Sequence, residues 1–140
     1  MQDLRSLIES INSEEEKRLL ENFRFMEEQK IKKTLGPALW EDLKQTLREF
    51  CSGTGKVSPS KLQLHTESLY EISLVNQENN KKASLTYNTD VNCVFYETPV
   101  GKGRMVLRPS ADGNSVQFMV NDIPRTLEEI AFILISQIKT

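Results

Sequence analysis

Hydrophobic and polar residues repeat with two different periods along the chain. In the first fifty residues and the last fifteen, apolar side chains recur every three or four positions, which is typical of helices packed on one side. From about residue 62 to 121 they alternate with a period of two, which is typical of antiparallel strands with one buried face. The change of period predicts an α+β fold: N-terminal helices, an antiparallel sheet and a C-terminal helix.

The N-terminal region is predicted to form three helices, over residues 3–11, 14–35 and 37–51. The pair Asn12-Ser13 interrupts the apolar pattern. The pair Gly36-Pro37 predicts a second break, because glycine suits the end of one helix and proline suits the first position of the next. Each helix is expected to bury one face.

The middle helix carries one broad apolar arc, and Phe25 falls outside it. Phe25 and the apolar flanks of the last helix suggest that the chain has more apolar surface than a monomer can easily bury. Two alternatives remain open: the helices dimerise, or the N-terminal helices cover the last one. The arc consists of Leu19, Leu20, Phe23, Met26, Ile31 and Leu35.

The middle of the chain is predicted to form a five-stranded antiparallel meander, because short turn sequences separate the alternating runs. Leu62 and Leu64 are predicted either to form a further edge strand or to extend the first strand. The five runs are 70–74, 83–87, 91–96, 104–108 and 116–120.

One face of this sheet is predicted to point away from the core. Arginine, tyrosine and methionine are enriched at protein contact surfaces, so this face is a candidate for binding a partner. The alternative is an ordinary solvated sheet face. The outward residues are Lys82, Tyr96, Arg104, Val106, Arg108, Gln117 and Met119. The candidate partner-contact residues of the whole chain are Phe25, Tyr96, Arg104, Arg108 and Met119.

The last helix is predicted over residues 126–139 and is expected to anchor the core. Thr126 and Glu129 have the spacing of a capping box. The helix is apolar almost all round, so it is expected to be covered on more than one side, with one side packed on the sheet.

At 140 residues, the chain has the size of a single domain. The predicted boundaries are a helical region over 1–51, a linker over 52–61, the sheet over 62–121 and the last helix.

The linker contains the sequence CSGTGKVSP, whose Gly55-Lys56 pair resembles part of a phosphate-binding loop. That loop requires G-x-x-x-x-G-K-[ST] between a strand and a helix. Here Phe50 occupies the first glycine position, Val57 occupies the hydroxyl position, and a helix precedes the loop. The segment is therefore interpreted as a helix end followed by a flexible linker.

No catalytic, metal-binding or cofactor-binding motif is found, so no cofactor is expected. His65 is the only histidine and lies outside any nucleophile pattern. Cys51 and Cys93 lack the CxxC spacing of metal or redox sites and are expected to be reduced thiols in a cytoplasmic protein.

Charge and hydropathy argue against nucleic acid and membrane partners. The net charge is −2, so nothing attracts the chain as a whole to phosphate. The order of elements is similar to that of double-stranded-RNA-binding domains, but the last helix starts with two acids where those domains place lysines. The longest apolar run, 130–135, is too short for a membrane span, and no signal peptide is expected.

The favoured function is a non-enzymatic protein-interaction or adaptor module that self-associates. The first alternative is a domain that binds a small molecule in an apolar cavity between the sheet and the last helix. The second is an enzyme of unrecognised type.

Overall fold

A single helix, α1, extends from Leu4 to Cys51 in the computed structural model, which describes residues 4–52 and 61–139. At 1.5 Å per residue, its 48 residues are about 72 Å long. The predicted breaks at Asn12-Ser13 and Gly36-Pro37 are therefore wrong. The predicted flexible linker falls almost entirely on residues 53–60, outside the described residues.

Gly36 and Pro37 lie inside the helix because of what Gly36 faces. A Cβ added at Gly36 would overlap the hydroxyl of Tyr87 and lie 2.8 Å from Cδ1 of Leu107. The glycine thus lets the helix backbone approach the sheet closely. Pro37 removes one intrahelical hydrogen bond, and the burial of Trp40 in the next turn helps to offset that loss.

The sheet has seven strands rather than five, and each strand pairs antiparallel with the next along the chain. The predicted meander is confirmed in its order. The strands are β1 (Leu62–Ser68), β2 (Glu71–Asn76), β3 (Lys81–Asn88), β4 (Cys93–Thr98), β5 (Gly101–Pro109), β6 (Val116–Val120) and β7 (Ile123–Arg125).

The two added strands lie at the two edges of the sheet. The alternative of an edge strand at Leu62 and Leu64 is correct, and it forms β1. The strand β7 follows a two-residue turn at Asn121-Asp122, where both residues have positive φ. Asparagine and aspartate tolerate this conformation, which matches the twist of a tight hairpin. Pro124 is acceptable in β7 because edge strands have unpaired amides.

The predicted face of Tyr96 in β4 is wrong. Tyr96 pairs with Leu85, which is fully buried, and is itself half-buried against the core. Val94 is also fully buried, whereas Phe95 is 43% exposed on the opposite face. Apolar residues fill almost every position of this run, so alternation alone could not decide which set faces the core.

The core lies between one face of the sheet and two helices. Residues 36–51 of α1 contribute Trp40, Leu43 and Leu47, all fully buried. The second helix, α2 (Leu127–Ile138), packs against β3 and β4 and also contacts α1. The predicted capping box of Thr126 and Glu129 is confirmed.

Polar contacts fix both helices at turns of the sheet. The Trp40 indole N–H donates to the carbonyl of Leu69 at 3.0 Å, and the Lys44 ammonium donates to the same oxygen at 3.1 Å. Lys44 is almost fully buried and pairs with Glu41 at 2.7 Å. At the other end of the sheet, the Asn76 amide donates to the carbonyl of Ile138 at 2.9 Å.

Candidate functional site

The first half of α1 projects away from the rest of the structure. All of residues 4–28 are exposed, and Gln29 is the first residue of the helix that is half-buried. Twenty-five helical residues correspond to about 37 Å. Nine large apolar side chains on this segment are 48% to 70% exposed. They are Leu4, Leu7, Ile8, Ile11, Leu19, Leu20, Phe23, Phe25 and Met26.

Most of these side chains continue the helix face that packs on the sheet. Eighteen residues make about five helical turns, so residues 18 apart lie on the same side. Leu7, Phe25 and Leu43 are related in this way, and Leu43 is fully buried in the core. The spacing likewise aligns Leu4 with Trp40, and Ile8 and Met26 with Lys44. We call this exposed face the N-terminal stripe: Leu4, Leu7, Ile8, Ile11, Leu19, Phe25 and Met26.

Phe25 therefore belongs to the stripe, although the sequence placed it outside the apolar arc. That arc was drawn for an isolated helix over 14–35. With α1 continuous, Phe25 aligns with Leu43 in the core, whereas Leu20 aligns with Ile31, whose side chain lies beside Gly113. The 18-residue spacing of Leu7, Phe25 and Leu43 is present in the sequence. It was not used because a helix break was predicted at Gly36-Pro37.

The outer face of the sheet carries three of the predicted contact residues. Arg104 and Arg108 are exposed, and Met119 is half-buried. Arg104 pairs with Phe95 across β4 and β5, and Met119 pairs with Val106 across β5 and β6. This face therefore combines basic and apolar side chains, and its Arg108 and Gln117 line one groove together with Phe23 of the projecting segment.

Tyr96, the other predicted contact residue of the sheet, does not lie on this outer face. It faces the core, and a Cβ added to its cross-strand neighbour Gly103 would lie 2.7 Å from the Tyr96 hydroxyl. Gly103 thus leaves room for the tyrosine side chain over β5. We interpret Tyr96 as a packing residue at the margin of the core.

Surface grooves border both regions. A groove of about 760 Å³ lies between the base of the projecting segment, including Phe23 and Ile31, and the loop over 110–115. A second groove, of about 640 Å³, runs beside Phe95 and Arg104 on the outer face. Two further spaces adjoin α2: about 10 Å³ beside Tyr96 and Ile130, which is room for about one water molecule, and a groove of about 420 Å³ at the β1 edge of the sheet, lined by Leu62, Phe132 and Ile135.

Burial dominates the pKa shifts of both cysteines. Burial raises the pKa of Cys51 to about 11, so its thiol is protonated at neutral pH and is a poor nucleophile. Burial also raises the pKa of Cys93, and nearby Arg104 partly opposes that effect. Across residues 4–52 and 61–139, no three His, Cys, Asp or Glu side chains cluster as metal ligands do.

Neither described helix has a segment both long enough and apolar enough to cross a bilayer. The chain matches no protein-family model, no curated protein and no solved structure. Functional arguments therefore rest on its own residues.

Proposed function

We propose that this chain is a non-enzymatic protein-interaction module and that residues 4–28 of α1 are its contact element. The observation that supports this most directly is the N-terminal stripe: seven exposed apolar side chains on one side of the projecting half of α1, aligned with the buried Trp40 and Leu43. An apolar surface of this extent is typical of a site that binds another protein.

The stability of the projecting segment also supports a partner. Helices derive most of their stability from tertiary packing of an apolar face, and isolated helices are marginal in water. Residues 4–28 are all exposed, and only their last turns border the loop over 110–115. A protein that covers the stripe would supply the packing that this segment lacks.

The available apolar surface is large enough to drive association. A large apolar side chain contributes ~1.5–3 kcal/mol when fully buried, and the stripe has seven that are 48% to 70% exposed. Their combined burial is enough to offset much of the roughly 4–15 kcal/mol that association costs. A moderately stable complex is the expected result.

Site-specific photocrosslinking tests this proposal whatever the partner is. A photoreactive amino acid at Ile11 would lie in the stripe, whereas the same group at Ser13 would lie on the opposite side of the helix. We expect a discrete protein crosslink from position 11 in cells that produce the chain, and much less from position 13. The product's mass distinguishes a second copy from a different protein.

Equal crosslinking from both positions, or none from either, would contradict the proposal. The Ser13 variant is a matched control because both positions are exposed and only two residues apart. It therefore shares the same local concentration of neighbouring proteins and differs only in the helix face that it probes.

A further inference from the structure

Two charged residues interrupt the N-terminal stripe near its middle. Glu15 lies one turn after Ile11 and one turn before Leu19. Arg18 lies about five turns before Gly36, which packs against Tyr87 and Leu107 of the sheet. Both side chains are exposed. Any partner that buries the stripe must therefore meet one acid and one base at its centre.

A second copy of the same helix meets this requirement in one orientation. We infer that two chains pair their 4–28 segments antiparallel, centred between Glu16 and Lys17, so that Glu15 of each chain lies level with Arg18 of its partner copy. The inference rests on the proposed function, since it names the occupant of the same surface. A polar pair inside an apolar helix seam is a known determinant of register and orientation.

The charged positions of the segment fit this arrangement, and so do four apolar positions, whereas Ile11 lies level with Asn22 and Leu19 with Glu14. In an antiparallel pair with this centre, residues whose numbers sum to 33 lie level with each other. Leu7 is then level with Met26, and Ile8 with Phe25, all within the stripe. No residue of the segment lies level with a residue of like charge.

A parallel, in-register pair lacks this complementarity. Each residue would lie level with its own copy, so Glu15 would face Glu15 and Arg18 would face Arg18 across the seam. Like charges held together in an interface are destabilising. The charge pattern therefore favours the antiparallel orientation.

The size of the segment suits a dimer of modest affinity. A helix about 37 Å long and about 10–12 Å across presents roughly 600–700 Å² on one side. A stable complex of standard size buries about 800 Å² on each partner. The antiparallel pair is thus close to this size but not above it, and we expect its population to depend on protein concentration.

Spin-label distances on the full chain test the orientation. Ser6 and Lys17 are eleven residues apart, about three turns, so both lie on the side of the helix away from the stripe. In a chain with Cys51 replaced by serine and Cys93 by alanine, a single cysteine at position 6 or position 17 would carry a spin label. Pulsed electron paramagnetic resonance would then measure the distance between the labels of the two chains. In the antiparallel dimer, the labels are offset along the axis by about 32 Å at position 6 and about 1.5 Å at position 17.

We therefore expect a clearly longer distance at position 6 than at position 17. Equal distances at the two positions would indicate parallel chains and overturn the inference. A monomer at all concentrations would also overturn it, while crosslinking of Ile11 to a different protein would leave the proposed function standing. The antiparallel dimer can thus be disproved while the proposed protein-interaction function stands.

Charge reversal tests the central pair without labels. Glu15→Arg would place arginine level with Arg18, and we expect the dimer dissociation constant to rise at least roughly tenfold. Glu15→Arg combined with Arg18→Glu restores opposite charges and should return it to near the original value. Failure of the double variant to recover, with the fold intact by circular dichroism, would contradict the pairing.

Discussion

At the scale of single residues, Gly36 determines how closely α1 can approach the sheet. In an ordinary helix, alanine is favoured over glycine by about 1 kcal/mol. Here we expect the opposite sign, because the new Cβ would overlap the Tyr87 hydroxyl and crowd Leu107. Gly36→Ala should lower the free energy of unfolding by ~1–3 kcal/mol in urea titrations.

Tyr87→Phe provides the internal control for this prediction. The Tyr87 hydroxyl is buried and has no hydrogen-bond partner among the described residues, so its removal alone should cost little. In the Gly36→Ala background, it should recover part of the lost stability. Additive effects of the two substitutions would show that the hydroxyl is not the source of the clash.

Phe118 and Arg104 test the assignment of the sheet faces. Phe118 is buried in the core, and Phe118→Ala should destabilise the protein by ~3–5 kcal/mol. Arg104 is exposed on the outer face, and its replacement by alanine should leave stability nearly unchanged. Similar costs for the two variants in denaturant melts would refute the assignment.

The alternation of residues predicted the buried face of a strand correctly only where polar residues occupied the other face. Met105 and Leu107 are buried while Arg104 and Arg108 are exposed, as the alternation indicated. The run around Tyr96 contains apolar residues in both phases, and there the prediction was wrong. The physical reason is that register depends on cross-strand packing, which a single strand does not encode when both its faces are apolar.

At the scale of elements, the start of α2 is predicted to make stability pH-dependent. The pKa of Glu129 is lowered first by its hydrogen bond from Arg125 and then by the backbone N–H of Thr126. A carboxyl with a lowered folded-state pKa contributes stability above its unfolded pKa, and that contribution disappears as pH falls through the folded value. Acidification should therefore weaken this end of the helix.

Thermal melts of the original chain and Glu129→Gln between about pH 6 and pH 3 would measure this effect. We expect the original chain to be the more stable near pH 6 and the difference to shrink as pH falls. A difference that stays constant across the range would show that the charge of Glu129 does not stabilise α2.

Elements with strong local signals were predictable, and those decided by tertiary contact were not. The helix α2 has a capping box and an apolar face, and the order of the strands follows from their short turns. The breaks in α1 were predicted from the ordinary preferences of Gly36 and Pro37. Packing against Tyr87 and Leu107 overrides those preferences, and this contact lies far away in sequence.

At the scale of the whole molecule, the candidate contact surface could be only partly predicted. Phe25 was singled out because it did not fit, and it does lie on the exposed N-terminal stripe. The continuity of the stripe with the buried face was hidden, because it depends on α1 being one helix. The charge pattern that favours a second copy, with Glu15 level with Arg18, likewise becomes visible only when residues 4–28 form one uninterrupted helix.

Phe25 and Leu20 offer a matched test of that surface. Both are exposed, at 62% and 57%, and both lie in the projecting half of α1. Only Phe25 is on the stripe, five turns before Leu43. Phe25→Ala should therefore weaken self-association in sedimentation experiments by roughly tenfold, as truncation of a buried aromatic contact can do, whereas Leu20→Ala should change it little. Neither substitution should alter the unfolding transition of the sheet, because neither side chain is buried in it.

If Leu20→Ala weakened association as much as Phe25→Ala, the contact would involve the helix all round rather than one face, and the antiparallel seam would be wrong.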